Sequence, residues 1–144
     1  MRVSVVRIVA LLAALAVAGC ASFSDPLGRQ DALEIAQKRY TEAIRWGDLD
    51  IARNFVEPEQ RDAFALLTPT FEAIRITDFD IGQFEGDESE TSVTVTYRGY
   101  AQAYQIEKRF REHQHWSRVE GLANQWHVQS DLGESVVTLL GGAN

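Results

Sequence analysis

The feature that most constrains this chain is an apolar segment near its start, which ends at the only cysteine, Cys20. Two basic residues, Arg2 and Arg7, precede an unbroken apolar run of 11 residues, 8–18. A helix of that length covers about 16 Å, whereas the hydrocarbon core of a bilayer is about 30 Å thick, so the run is too short to span a membrane. A basic start, an apolar centre and small residues before a cleavage point are the layout of a secretory signal. We therefore expect residues 1–19 to be a signal peptide, and the remaining chain to fold without an internal disulfide.

The end of this segment reads Val17-Ala18-Gly19-Cys20. It resembles the lipobox of bacterial lipoproteins, in which an aliphatic residue (more often Leu than Val), a small residue and Gly or Ala precede the cysteine. The resemblance implies that the Cys20 thiol receives a diacylglycerol, that the signal is then cut off, and that the new amino group is acylated. Two or three acyl chains hold a protein at a bilayer persistently, whereas one gives marginal binding. Ala21-Ser22 follow where Asp favours the inner membrane in Gram-negative lipoproteins, so we expect an outer-membrane protein facing the periplasm.

The mature chain is strongly acidic. The formal net charge of −7 becomes −9 once Arg2 and Arg7 are removed with the signal. A field of this sign repels phosphate backbones, so we expect no nucleic-acid partner. Residues 20–29 contain Ser, Pro and Gly and are typical of a short tether behind the acylated cysteine. Residues 30–144 are long enough for one domain.

The first half of this domain has a helical pattern. Gln30 to Trp46 carries apolar residues at helical spacings, namely Leu33, Ala36, Tyr40, Ala43 and Ile44. Gly47 predicts the end of this helix, and Asp48 predicts the N-cap of a second, shorter one. Pro58 and the Thr68-Pro69 pair predict the starts of two further helical segments.

The second half has a strand pattern. Residues 76–84 and 91–100 are predicted strands around a turn at 85–88. A long strand is predicted from Tyr104 to Val119, with an apolar face of Tyr104, Ile106, Phe110 and Trp116 and an outward charged strip of Glu107, Lys108, Arg109, Arg111 and Glu112. A last strand, 125–130, would place Trp126 opposite Glu120. The tail, residues 131–144, fits either an edge strand or a short helix.

Helices followed by strands predict an α+β fold, with N-terminal helices packed on an antiparallel sheet of about four strands. The pattern Ala36-x-x-x-Tyr40-x-x-Ala43-Ile44-x-x-Gly47-Asp48-x-x-x-Ala52 and the later Gly121-x-x-x-x-Trp126-x-Val128 resemble the nuclear-transport-factor-2-like (NTF2-like), cystatin-like superfamily. The resemblance spans residues 30–130 and implies a curved sheet that wraps the first helix, often around a conical pocket. Members include enzymes, ligand carriers, dimerising scaffolds and accessory domains, so this fold does not fix the function.

Histidines are the first candidate site. His113 and His115 lie on one face of the predicted long strand, about 7 Å apart. In the expected register His127 lies about 13 Å from His115, and in the other register it leaves that face. The three side chains do not converge, so we expect neither a metal site nor a cofactor.

Acid–base chemistry is the second candidate. Resembling enzymes such as ketosteroid isomerase use a carboxylate base and a tyrosine donor in the pocket. The available residues here are Tyr40, Tyr97, Tyr104, Asp78 and Asp80. The inferred inward strand positions are apolar, and no convergent catalytic set is visible in the pattern. We therefore expect a domain that is not an enzyme.

Aromatic side chains are the third candidate, because they either fill the helix–sheet core or line a pocket or partner surface. The possible pocket lining is Tyr40, Phe55, Phe71, Tyr97, Phe110, Trp116 and Trp126. The combined expectation is a membrane-anchored periplasmic lipoprotein with a non-catalytic NTF2-like binding or assembly module, which engages a protein partner or a second copy. The alternatives are a carrier of an apolar small molecule or lipid, and a ketosteroid-isomerase- or dehydratase-like enzyme. A cavity above about 300 Å³ would favour the carrier.

Overall fold

The structure is a computed structural model that describes residues 27–121 and 124–141. The predicted signal peptide and Cys20 lie outside these ranges. The helices are α1 Arg29–Trp46, α2 Leu49–Arg53, α3 Arg61–Ala65, α4 Thr68–Glu72 and α5 Leu132–Leu140, with a 3-10 turn at Pro58–Gln60. The strands are β1 Ile74–Ile81, β2 Glu85–Gly86, β3 Glu90–Ala101, β4 Lys108–Arg118 and β5 Trp126–Ser130. Within the described ranges, no helix combines the length and apolarity that crossing a membrane requires.

The strands form one antiparallel sheet in the order β1-β3-β4-β5, and the short β2 pairs with the start of β3. Helix α1 packs against β1 and β5, and α5 packs against β4 and β3. Buried side chains of the helices and the sheet form one continuous core. The predicted α+β fold is confirmed, with β2 as an additional fifth strand.

The end of α1 follows the predicted signal. Gly47 adopts φ 76°, a left-handed conformation that glycine reaches without strain, and its N–H bonds the carbonyls of Ala43 and Ile44. Asp48 occupies the N-cap position of α2, but its side chain makes no capping hydrogen bond. The predicted N-cap position is therefore confirmed, with the Asp48 carbonyl rather than its side chain accepting the first hydrogen bonds of α2.

The start of β4 differs from the prediction. Tyr104 and Ile106 were expected on the apolar face of a strand, but they lie in the β3–β4 loop and are 61% and 58% exposed. The Ala101 carbonyl accepts hydrogen bonds from the N–H groups of Tyr104 and Gln105, which closes a turn directly after β3. Gln105 has φ 51°, so the chain is still turning where the pattern predicted an extended strand.

β4 has two different neighbours on the side away from β3, because β5 pairs with its second part and α5 packs beside its first part. Trp126 pairs with Arg118 rather than with Glu120, and this shift of two residues keeps Trp126 and Val128 on the inner face. β5 has 5 residues and β4 has 11, so β5 covers only part of β4. The tail then forms α5 beside the remaining part, which decides between the two predicted alternatives. Asp131 starts this segment and binds the backbone N–H and the Nδ1 of His113, each at 2.7 Å.

Candidate functional site

A buried carboxyl group lies at the centre of the helix–sheet interface. Glu112 of β4 accepts hydrogen bonds from the Tyr40 hydroxyl at 2.7 Å, the Tyr97 hydroxyl at 2.8 Å and Gln114 Nε2 at 2.8 Å. Glu112 and both tyrosines are fully buried. These donors come from α1, β3 and β4, so the carboxyl group ties three elements together. We call this cluster, with the partners described next, the Glu112 network.

The rest of the network satisfies the neighbouring amide groups. Gln114 Oε1 accepts hydrogen bonds from Trp116 Nε1 at 3.0 Å and from Gln37 Nε2 at 3.2 Å. Gln37 Nε2 also donates to Thr41 Oγ1 at 2.9 Å. A buried polar cluster is stable only when its donors and acceptors are paired, and here the pairing links α1 to β4.

The alternation of β4 places these groups inside. Phe110, Glu112, Gln114 and Trp116 have the same parity, and all four are buried. The expectation that Glu112 belongs to an outward charged strip is therefore wrong. Strand alternation places residue 112 on the same face as Phe110 and so predicts a buried side chain. The general preference of carboxylates for the surface predicted the opposite, and this preference was followed.

Burial controls the protonation of this cluster. Burial raises the pKa of Glu112, and the hydrogen bonds from Gln114 and Tyr40 oppose this rise. Burial, followed by the nearby charge of Glu112, raises the pKa of Tyr40 and of Tyr97 well above the usual tyrosine value. Both tyrosines therefore remain hydrogen-bond donors at neutral pH.

The predicted acid–base residues separate into two groups. Tyr40 and Tyr97 meet at Glu112. Tyr104 is exposed in the β3–β4 loop, and Asp80 is exposed on β1. Asp78 pairs with Arg98 across β1 and β3, and hydrogen bonds from the Phe79 N–H and Arg98 lower its pKa. The structure thus pairs the two predicted tyrosines with the carboxyl group of Glu112, which was expected in an outward charged strip.

The candidate pocket residues lie in or against the hydrophobic core. Tyr40 packs edge-on against Trp116 at 5.8 Å between ring centroids, and Tyr97 stacks on Phe110 at 5.1 Å. The buried members of the set are Tyr40, Phe71, Tyr97, Phe110, Trp116 and Trp126. Phe55 is half-buried beneath the guanidinium of Arg39. Their role as pocket lining stays a prediction.

The three histidines have separate neighbours. His113 Nδ1 lies 2.7 Å from Asp131, His115 Nδ1 lies 3.2 Å from the Ser92 hydroxyl, and His127 Nδ1 lies 3.8 Å from Glu57. Within residues 27–121 and 124–141, no three His, Cys, Asp or Glu side chains are arranged to hold a metal ion.

An open cleft lies next to the Glu112 network, between the helical segments after Val56 and the joint of β5 with α5. Its volume is about 350 Å³. Its lining, mostly apolar, is Val56, Gln60, Ala63, Phe64, Leu67, Val128, Ser130, Leu132 and Gly133. Ser130 reaches the network, because its Oγ lies 3.3 Å from the Tyr40 hydroxyl. We call this the Ser130 cleft.

Solved structures share this architecture. A ketosteroid isomerase-like protein from Erwinia carotovora atroseptica matches with a TM-score of 0.54 and 13% identity, over 73% of this chain and 92% of that chain. An NTF2-like protein from Cytophaga hutchinsonii matches with a TM-score of 0.51 and 14% identity, over 69% and 91%. The domain has an NTF2-like fold.

A third structure that resembles this NTF2-like domain is an epoxide hydrolase from M. tuberculosis, with a TM-score of 0.50 and 14% identity over 78% of this chain and 92% of that chain. Neither a protein-family model nor a curated protein matches the sequence. At these identities the structural likeness shows the fold alone, and the function has to be argued from the site.

Proposed function

We propose that this protein is a lipid-anchored protein of the bacterial envelope whose NTF2-like domain binds a ligand without chemically converting it. The Val17-Ala18-Gly19-Cys20 sequence supports anchoring through acylated Cys20 at the periplasmic side of the outer membrane. The acidic charge of the chain supports a partner other than nucleic acid.

The enclosure of Glu112 is the observation that carries the non-catalytic part. A general base must come within about 3 Å of the proton that it removes. Solvent reaches none of Glu112, Tyr40 and Tyr97, and both oxygens of the Glu112 carboxyl group already make hydrogen bonds to neighbouring side chains. A substrate would have to break this network before the carboxyl group could act. The network is therefore best explained as a structural link between α1 and the sheet, and the Ser130 cleft as the place where a ligand binds.

The proposal is tested by assaying the purified mature chain for isomerisation of a ketosteroid and hydrolysis of an epoxide, the substrates named for two of the structural neighbours. We expect no turnover above the uncatalysed rate by the wild-type protein. The comparison variant is Glu112→Gln, and the matched control is Glu120→Gln, whose carboxyl group is exposed. Turnover that Glu112→Gln abolishes and Glu120→Gln retains would show that the network is an active site, and the non-catalytic proposal would fail.

Assembly with a protein partner or a second copy is the second candidate function. The exposure of Tyr104 and Ile106 in the β3–β4 loop favours it, because large apolar side chains at a loop tip are common contact residues. Crosslinking in intact cells from this loop would capture such a partner, and the Tyr104→Ala variant should reduce the yield.

A further inference from the structure

Among the side chains that line the Ser130 cleft, the polar ones are the half-buried Ser130 and the exposed Gln60. Val56, Phe64, Val128 and Leu132 supply apolar walls, and Ser130 lies where β5 ends. Its volume of about 350 Å³ lies at the lower end of the roughly 300–1,000 Å³ that small-molecule sites occupy. Apolar walls around one half-buried hydroxyl, with the Gln60 amide exposed to solvent, suit a small, mostly apolar molecule with one polar substituent.

The hydrogen bonds of Ser130 determine what that substituent must be. With Glu112 ionised, the Tyr40 hydroxyl donates its proton to Glu112 at 2.7 Å, and the Ser130 hydroxyl then donates toward the Tyr40 oxygen, 3.3 Å away. Ser130 Oγ also accepts a hydrogen bond from the backbone N–H of Leu132 at 3.3 Å. A serine hydroxyl has one donor and two lone pairs. The donor and one lone pair are used, and one lone pair remains for a ligand.

We propose that the Ser130 cleft binds a small apolar alcohol or phenol, whose hydroxyl donates a hydrogen bond to Ser130 Oγ. This inference rests on the proposed function, because it specifies the ligand class of the binding module. With Glu112 ionised, the Glu112 network holds the Tyr40 proton on the Glu112 side and thereby leaves Ser130 Oγ as an acceptor toward the cleft.

A substitution at Gly133 would fill the Ser130 cleft and leave the Ser130 side chain unchanged. A Cβ at this position would lie 3.2 Å from Leu67 Cδ2 on the opposite wall. A larger side chain should therefore fill the space that a ligand needs. Leu is also a better helix former than Gly, so Gly133→Leu is compatible with the first turn of α5.

The test uses 2-naphthol and 2-methoxynaphthalene, which share the apolar rings, whereas only 2-naphthol can donate a hydrogen bond. Binding is measured by titration calorimetry of the full mature chain in lipid nanodiscs at about pH 8, above the ordinary range of a carboxyl group, with empty discs subtracted. We expect the wild-type chain to prefer 2-naphthol by about fivefold, the worth of one neutral hydrogen bond. Ser130→Ala should bind both probes equally, and the exposed control Ser92→Ala should keep the preference.

Gly133→Leu should lower the affinity for both probes by at least tenfold. Thermal melts followed by circular dichroism show whether each variant is folded. The inference is overturned by equal or absent binding of the two probes to the wild-type chain, by a preference that survives Ser130→Ala, or by unchanged binding to Gly133→Leu. These readouts are affinities, so their failure is separate from the turnover that would overturn the non-catalytic proposal.

Discussion

Glu112 is held away from water, and this determines how its proton couples to folding. Burial raises its pKa in the folded chain, so the folded state keeps the proton at pH values where the unfolded chain, with an ordinary pKa of about 4.3, has released it. Above that value the native state binds more protons than the unfolded state, and the free energy of unfolding falls as pH rises. Each unit of pKa elevation corresponds to about 1.4 kcal/mol.

Replacing Glu112 with Gln should remove this pH dependence. The amide cannot ionise, so the stability of Glu112→Gln relative to the wild type should increase as the pH rises above about 4.3 and level off beyond the folded-state pKa. Urea unfolding followed by tryptophan fluorescence at a series of pH values measures the difference. Glu120→Gln, an exposed substitution, should run parallel to the wild type. Parallel curves for Glu112→Gln would show that burial does not hold the proton on this group.

The sequence correctly predicted buried residues where the residue type and its place in the helical or strand repeat both indicated the interior. Tyr40 lies on the apolar stripe of α1, and Tyr97 on the inward parity of β3, so both were selected. Glu112 was missed because a charged residue type predicts the surface whereas its strand parity predicts the interior, and only the packed structure shows the three hydrogen-bond donors around its carboxyl group. Ser130 carried no signal, because its role depends on the contact between β5 and α1.

At the scale of elements, α5 shows where local pattern fails. Residues 136–140 are apolar except for Thr138 and fit either a strand or a helix. The choice depends on β5 ending at Ser130, and on Asp131 binding His113 at that point. This contact joins residues that are 18 positions apart, so a pattern read over a short stretch of sequence does not predict it. The packing of α5 is nevertheless clear, since its buried side chains are Leu132, Val136 and Leu139.

Two adjacent valines test the contribution of α5. Val136 is fully buried and Val137 is 55% exposed. Val136→Ala should lower the free energy of unfolding by about 2 kcal/mol, because it removes buried methyl groups and leaves a cavity. Val137→Ala should change it by less than about 0.5 kcal/mol. Chemical denaturation measures both, and equal effects would mean that α5 is not packed on the sheet in this orientation.

At the scale of the whole molecule, the domain and its proposed anchor are separate questions. The α+β fold follows from the order of helical and strand patterns, and the structure confirms it. The anchor depends on the chemistry of a single thiol outside the described residues, which packing of residues 27–141 does not address. The two therefore need different measurements.

Incorporation of labelled palmitate tests the anchor. Cells expressing the wild-type chain should yield a labelled protein, and the mature N-terminal peptide should begin at a Cys20 that carries a diacylglycerol mass. Cys20→Ser should lose the label, because serine lacks the thiol that is modified. Ser22→Ala keeps the cysteine and should be labelled like the wild type. Label on Cys20→Ser, or an unmodified thiol in the wild-type peptide, would refute lipidation at this position.

The helix that lies beside β4 has a consequence for the proposed attachment of many copies to one bilayer. Anchoring concentrates molecules in two dimensions, where an open sheet edge is a template for strand addition by a neighbour. β5 pairs only with residues 114–118 of β4, and α5 packs alongside β4, its end fastened by Lys108 Nζ to the Gly141 carbonyl at 3.1 Å. The other end of the sheet is β1, with charged Arg75, Asp78 and Asp80 along it. We expect these features to disfavour strand addition between neighbouring copies at the surface density that the proposed anchor would produce.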